Sequence, residues 1–373
     1  MVVVKEVKTR KELKKWVEFP NRLYKNCPSY VPFLFSDEMA TFTPKTNPAY
    51  EFCETKLFLA YIDGKIVGRI AGLINRAYNE KWNQNAIRFT RLDFIDDYEV
   101  SKALFDKVVE YAKENNLSSI MGPIGFTDLD HEGMLVEGFD ELNMSITFYN
   151  HPYYLKHMEK LGLEKQVDWV EYQLNVPQEV DPKLARLSER LITKNNFKLI
   201  TYTDRKTLKK DAFEAFKVVD VAFSKLFGTV PLTDKIINKS IADYIGVVNL
   251  KYVICIRDEK DEIVGFALVV PSIAKALKKS NGKLFPFGFI RLLKALKCKN
   301  DTLEMYLVAI KPELQMRGLP AIIINHILKM CIDNKVKICE TGPELENNLA
   351  VQSLWKSFDA RQHKRRRCYH KDI

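Results

Sequence analysis

Apolar and polar positions along this chain form a pattern that occurs twice. Phe58, Ala60 and Tyr61 lead into Asp63, Gly64 and Lys65, and Ile66, Val67 and Gly68 follow, which is strand, tight turn, strand. Tyr252, Val253 and Ile254, then Asp258 to Asp261, then Ile263, Val264 and Gly265 repeat it. Downstream, each copy has an amphipathic helix, a short strand ending in Gly-Pro (Gly122 and Pro123, Gly342 and Pro343), another helix and a closing strand. Gly68 and Gly265 stand 197 residues apart, whereas Gly122 and Gly342 stand 220 apart. The difference of 23 residues matches an extra apolar and basic segment near 273–299. The chain reads as a duplicated unit with an insertion in its second copy.

In the first copy the periodicity predicts strands at 2–7, 88–95, 118–122 and 168–174, and a hairpin over 56–75. It predicts helices over 11–25, 99–115 and 153–161, with Val100, Ala103, Leu104, Val108 and Tyr111 at helical spacing in the second. Residues 177–182 mark a boundary. Beyond it come a helix over 182–194, a strand at 197–203, helices over 211–226 and 233–244, and a hairpin over 252–270. After the insertion follow a strand at 302–310, a helix over 320–334, a strand at 336–340, a helix over 349–358 and a strand at 362–371. This order implies an α/β (α+β) fold in two tandem units, 1–178 and 179–373, each a twisted, mostly antiparallel mixed sheet with helices on both faces.

Composition narrows the picture. A chain of 373 residues that is 46% hydrophobic can bury two ordinary cores. No apolar run reaches the ~20 residues of a membrane-spanning helix, and charge arrives at Lys5 and Glu6, too early for a signal peptide. Seven cysteines without paired spacing suit a reducing cytoplasm, the expected location. There is no CxxC pair, no HExxH, and no cluster among the six histidines, so no metal site is expected. The net charge of +10 draws on Lys275, Lys278, Lys279, Arg291, Lys294, Lys297 and Lys299, and on His363 to Arg367. It suits either a solvated basic surface or a polyanionic partner: a phosphorylated cofactor, nucleic acid or an anionic membrane surface.

The chemistry concentrates between the strand at 302–310 and the next helix, in Lys311, Pro312, Glu313, Leu314, Gln315, Met316, Arg317, Gly318, Leu319, Pro320 and Ala321. Gly318 lets a ligand approach the backbone, proline suits the first helical turn, and free N–H groups at the helix start attract an anion. An ordinary strand-to-helix turn reads the same way. The stretch resembles the cofactor loop of the GNAT acyltransferase superfamily, in which Gln or Arg, two residues, Gly, one residue, then Gly or Ala wrap the pyrophosphate of acyl-CoA. Gln315, Gly318 and Pro320 occupy those places, Pro320 departing from the pattern and removing one donor. Gly342 to Asn348 and the helix carrying Trp355 resemble the next part of that fold, and the element order from 197 to 371 matches it.

The resemblance implies acetyl-CoA or a longer acyl-CoA as donor, held by Val308, Ile310, Gln315, Met316 and Arg317, by Gly318, Leu319, Pro320 and Ala321, and by Asn347 and Asn348 near the pantetheine arm. The corresponding turn of the first copy, Ile95 to Glu99, has no glycine and three carboxylates. Each such like-charge pair costs about 1 kcal/mol at ~4 Å even in water, so the first copy resembles a degenerate one. Tandem copies of this fold resemble the arrangement in N-myristoyltransferases and Fem-type aminoacyltransferases.

Amide formation from a thioester needs a base, an oxyanion donor and a proton for the leaving thiolate. The family's acid, a Tyr on the last helix, is replaced by Trp355 in one copy and Met158 in the other, and neither can donate that proton. The resemblance points to Glu304 as base, and alternation puts Tyr306 on the same face; Tyr306 and Tyr369 are acid candidates. Asp128, Asp130, His131 and Tyr149, in a Gly-rich, acidic and aromatic stretch, are candidates for acceptor binding. Glu344 and Glu346 are too, or they are helix-start acids. The insertion over 284–297, apolar on one side and basic on the other, either packs on its own domain, covers an acyl chain or lies on a membrane. The expected function is acyl-CoA-dependent transfer to a small-molecule or peptide amine held between the halves. The alternatives are a non-catalytic acyl-CoA-binding scaffold and an aminoacyl-tRNA-dependent transferase.

Overall fold

The duplication is visible in how strands pair. The computed structural model describes every residue except 246–247, 298–299 and 316. The first copy contributes β1 (Val3–Glu6), β2 (Cys53–Ile62), β3 (Lys65–Asn75), β4 (Ala86–Phe94), β5 (Ser119–Gly122), β6 (Met134–Glu137) and β7 (Glu164–Asn175). Its helices are α1 (Arg10–Leu23), α2 (Phe35–Thr41), α3 (Arg76–Trp82), α4 (Tyr98–Glu114) and α5 (Tyr153–Lys160). The second copy opens with α6 (Pro182–Lys194), β8 (Lys198–Thr201), α7 (Arg205–Phe223) and α8 (Asp234–Ile245). Next come β9 (Val253–Arg257), β10 (Ile263–Pro271), α9 (Ala274–Ser280), α10 (Gly288–Lys297) and β11 (Thr302–Ile310). It ends with α11 (Pro312–Gln315), α12 (Leu319–Asp333), β12 (Ile338–Thr341), β13 (Glu344–Leu345), α13 (Leu349–Trp355) and β14 (Ala360–Asp372).

All these strands join one sheet, in the order β1-β2-β3-β4-β5-β14-β7-β12-β11-β10-β9-β8. The closing strands have changed places. β14, the end of the second copy, lies beside β5 of the first, and β7, the end of the first, lies beside β12 of the second. β14 and β7 pair with each other along almost their whole length. β6 continues the β5 edge along β14, and β13 continues the β12 edge along β7, so the two-fold relation extends to the segments after the Gly-Pro pairs.

Local chemistry sets the helix ends. Thr9 and Glu12 form a capping box on α1, and Asp97, Asp181 and Asp204 accept from the first turns of α4, α6 and α7. α7 begins six residues before the periodicity suggests, because its first turns are polar (Lys206, Lys209, Lys210) and the Asp204 cap is their signal. Separate cores lie under each copy: Ile70, Phe89, Leu104 and Met158 in the first, Val269, Leu303, Ile323 and Trp355 in the second. A third cluster spans both copies, with Tyr78, Ile124, Trp169, Val230 and Cys368.

The basic run His363 to Arg367 is not a surface patch. Lys364 and Arg366 point inward and are fully buried against Glu171 of β7. Removing one partner of a buried pair leaves an uncompensated charge, which costs about 3–5 kcal/mol. Glu171→Gln is therefore expected to lower unfolding stability by about that amount in urea titration; a change below about 1 kcal/mol would show the exchanged strands do not depend on these charges.

Candidate active site

Glu304 sits on β11 where the strand is irregular. β10 and β11 pair regularly to Met305, slip at Leu268/Val269 so that Tyr306 is skipped, and resume at Leu307. Such a bulge re-aims side chains and bends a strand. Parallel pairing of β11 with β12 covers only Thr302 to Met305, opposite Ile338 to Thr341. Beyond that the two strands part, and the edge of 306–310 facing away from β10 is left open.

As alternation predicts, Glu304 and Tyr306 share a face. Glu304 is buried, with Ser272 and Tyr306 beside its carboxyl and Oε2 without a hydrogen-bond partner. Burial raises its pKa to about 7, and Glu340 pushes the same way. The Tyr306 hydroxyl lies 2.7 Å from Ser145 Oγ, and burial, with the Glu304 charge, holds its proton on well above the ordinary range.

Around this pair both copies contribute buried ionisable groups. Lys364 Nζ lies 3.5 Å from Glu171 Oε2 and 3.7 Å from Glu340 Oε2 and makes no hydrogen bond. His363 is buried with neither ring nitrogen bonded, and burial lowers its pKa to about 4. Burial opposes ionisation of Glu171, but Arg366 and Lys364 outweigh it and hold that carboxyl below its ordinary value. Arg366 donates to Asn143 Oδ1 (2.8 Å), Thr147 Oγ1 (2.9 Å), the Phe148 carbonyl and Glu171, which fixes the 143–148 loop carrying Ser145. Buried polar groups are ordinarily bonded. Unbonded atoms at Glu304, Lys364, His363 and Glu171 gather here, which makes this the candidate site.

The other anticipated residues fall in several places. Asp130 is consumed by structure: Arg91 holds it at 2.7 and 3.0 Å and shares itself with Glu38, and the N–H groups of Phe126 and His131 bond to it. His131 packs against Phe33 with the rings tilted by 56° and its Nε2 unbonded. Asp128 is buried, and burial raises its pKa to about 6. Tyr244 of α8 lies within electrostatic reach of both Asp130 and Tyr306. Tyr149 packs against Tyr24 and Tyr30 and donates to the Phe139 carbonyl. Tyr369 lies in the first core and is not brought to Glu304. Glu346 joins an ionic network with Lys165 and Arg365.

Among the residues anticipated for a donor, Val308 is exposed on the parted stretch, and Ile310 is buried, its carbonyl accepting from Gln315 Nε2 at 3.1 Å. Gly318 has φ +84 and ends the turn before α12, a backbone conformation that favours glycine; a Cβ there would also press a Leu191 methyl at 2.7 Å. Leu319 is buried, Pro320 stands in the first turn, and Ala321 N–H bonds to Gly318. Arg317 is exposed, Lys311 is paired with Glu262, and Met316 lies outside the described residues. Asn347 is exposed, and Asn348 heads α13 without a side-chain cap bond, so its amide is not spent on the helix. Trp355 Nε1 donates to both oxygens of Glu344, at 2.9 and 3.1 Å, and burial raises the Glu344 pKa to about 7. A cavity of about 20 Å³ near Met305, Ile327 and Trp355 has room for one water, not an acyl chain.

The corresponding place in the first copy is filled. Gly122 presses against Phe89, where a Cβ would stand 2.3 Å from the carbonyl oxygen, and Ile124 N–H bonds to that carbonyl at 3.0 Å.

No known family model matches the chain. It is 26% identical over 377 residues to Protein YghO of Escherichia coli (strain K12), covering 100% of this chain and 95% of that one. It is 24% identical over 373 residues to a protein named bacterial ceramide synthase from Caulobacter vibrioides (strain NA1000 / CB15N), covering 98% and 96%. Among solved structures it matches a tandem GNAT protein from the clavulanic acid biosynthesis pathway, without AcCoA, with a TM-score of 0.59 at 10% identity, over 100% of this chain and 98% of that one. The chain has the tandem GNAT fold.

The raised Glu304 pKa has a consequence for stability. Between its ordinary 4.5 and about 7, the folded protein keeps a proton that the unfolded chain has released. This group therefore makes stability fall as pH rises through that window and level off above it. Glu304→Gln cannot lose the proton, so urea unfolding of the variant is expected to show a shallower decline across the window than the parent protein; parallel pH curves would contradict a buried, raised carboxyl.

Proposed function

We propose that the protein transfers the acyl group of an acyl-CoA to the amine of a long-chain amino alcohol, forming an amide. The observation that carries this reading is Glu304, a buried carboxyl raised to about 7, on a bulged strand whose next residues have an open edge. The relative named bacterial ceramide synthase, alike over nearly its whole length, supports the acceptor class, because a ceramide is an N-acylated long-chain amino alcohol.

Acyl-CoA supplies the acyl group as a thioester. In this reading the parted edge of 306–310 offers backbone groups to the donor arm and the carbonyl oxygen, and the Gly318 turn at the start of α12, with the exposed Arg317, takes its phosphates. Glu304, when ionised, takes a proton from the acceptor nitrogen as that nitrogen bonds to the carbonyl carbon. The C–S bond then breaks and the sulfur takes up a proton. Glu344, whose carboxyl is protonated up to about 7, opens β13 and is held by Trp355, the residue at the place of the family's Tyr. It is the group on this side able to give that proton. Tyr306 and Ser145 line the acceptor side.

Thiol release from acyl-CoA in the presence of a long-chain amino alcohol tests the reading. General base catalysis contributes roughly 10²–10⁴ in rate, so Glu304→Gln is expected to lower kcat by that order with little change in the KM for acyl-CoA. In the parent protein kcat/KM should rise with pH through about 7, and this limb should vanish in the variant. Full activity of Glu304→Gln would remove it as the base. Turnover with short polar amines but not with long-chain ones would reject the acceptor class alone.

A further inference from the structure

Between the end of β10 and the start of β11, α9 and α10 form a helical flap. Its inner side is anchored. Ala274, Ala276, Leu277 and Leu292 pack with Val31 of the first copy, and the Gly282 carbonyl accepts from the Phe35 N–H at 2.9 Å. Of the three readings of this segment, packing on its own domain is modified: its inner face packs against the first copy.

Its outer side is apolar and uncovered. Phe285 is 76% exposed, Phe287 64% and Ile290 51%, with Phe289 and Leu293 beside them. Scattered exposed apolar residues are ordinary, but five in nine consecutive positions form a patch that asks for a partner. Its rim carries one sign of charge. Lys275, Lys278, Lys279, Lys283, Arg291, Lys294 and Lys297 all lie in the flap and all are exposed, while residues 273–297 contain no acid. Only part of this charge is met nearby, by Asp301 at 3.6 Å from Lys275 and Glu18 at 3.0 Å from Lys283. An aromatic tip ringed by cations complements a surface that is apolar below and anionic above. Among the described residues no helix is long and apolar enough to cross a membrane, so a flap of this kind lies along the surface.

We propose that the α9–α10 flap docks on an anionic lipid bilayer, with Phe285, Phe287 and Phe289 at the headgroup boundary and the basic side chains on lipid phosphates. Ser272, at the flap's stem, stands beside Glu304 and is tied to β11 through Thr302 and Asn300. Docking therefore brings the bilayer to the acceptor side of the site, where a lipid amine would arrive without crossing water. That last step rests on the proposed function; the docking does not.

Vesicle flotation of the full chain, without acyl-CoA or amine, tests it. The protein is expected to float with phosphatidylcholine vesicles containing phosphatidylglycerol, to stay behind with phosphatidylcholine alone, and to be released by high salt. Reversing two cations removes about 1 kcal/mol per residue or more, so Lys279→Glu with Lys294→Glu should weaken binding at least about tenfold, as should Phe285→Ser with Phe287→Ser. Both variants should keep the parent's thermal melting and thiol-release rate with a detergent-dispersed acceptor. Failure to float with anionic vesicles would overturn the proposal, as would equal binding to neutral ones. Self-association of the parent in lipid-free solution, abolished by the serine variant, would identify the patch as a contact between copies instead. Because flotation needs no catalysis, its failure and failure of the acyltransfer reading are separable.

Discussion

The structure depends on the pairing of β14 with β7. Each copy of the duplicated unit ends in a strand that its own sheet does not keep. β7 is laid beside β12 and β14 beside β5, and the two strands bind each other between them. Without these two strands β5 and β12 would be open edges, each a template for unwanted pairing. With them, the two copies become one sheet, and the side chains of the central strands are forced together. Lys364 and Arg366 reach Glu171 only because the last strand of the chain runs through the middle of the sheet. The candidate site is a product of the exchange, since Glu304 and Glu340 come from one copy, Glu171 and Ser145 from the other, and Lys364 from the strand that joins them.

Duplication followed by divergence explains why the two copies differ at the edge proposed to hold a donor. In both, a parallel pair of strands leads to a Gly-Pro step. In the second copy β11 and β12 part after Met305, leaving an edge for an extended ligand. In the first the gap is closed by Phe89 and Ile124, and acids stand at the following turn, Asp97 spent on capping α4 and Asp96 on His157 at 3.0 Å. The first copy instead gives the 125–150 segment, whose Arg91–Asp130–Glu38 ion pairs brace the wall facing Tyr244.

Much of this was legible in the sequence, and the exceptions have physical reasons. Period-2 and period-3.6 patterns report which face of an element is apolar, so β11 and α6 were predicted within a residue or two, whereas the flap was legible as an insertion but not as two helices. They carry no information on which strand lies alongside, and the exchange of β7 and β14 could not be read. His363 to Arg367 resembles a solvated basic run because the carboxylate it answers, Glu171, is almost two hundred residues away. Glu304 was legible through its strand and its place before the loop. The Trp355–Glu344 bond was not, since a tryptophan where the family has tyrosine signals a loss, and only coordinates show what that tryptophan holds. Asp130 looked like a ligand-binding acid, but Arg91, in β4, uses both its oxygens.

The central claim is that one copy, through the open edge of β11, holds an acyl-CoA and the other does not. Calorimetric titration of the purified protein with CoA, acetyl-CoA and palmitoyl-CoA addresses it without assuming an acceptor. Saturable binding of one thioester per chain is expected. Binding of two per chain would contradict the filled first copy, and no heat with any of the three would contradict the donor site itself.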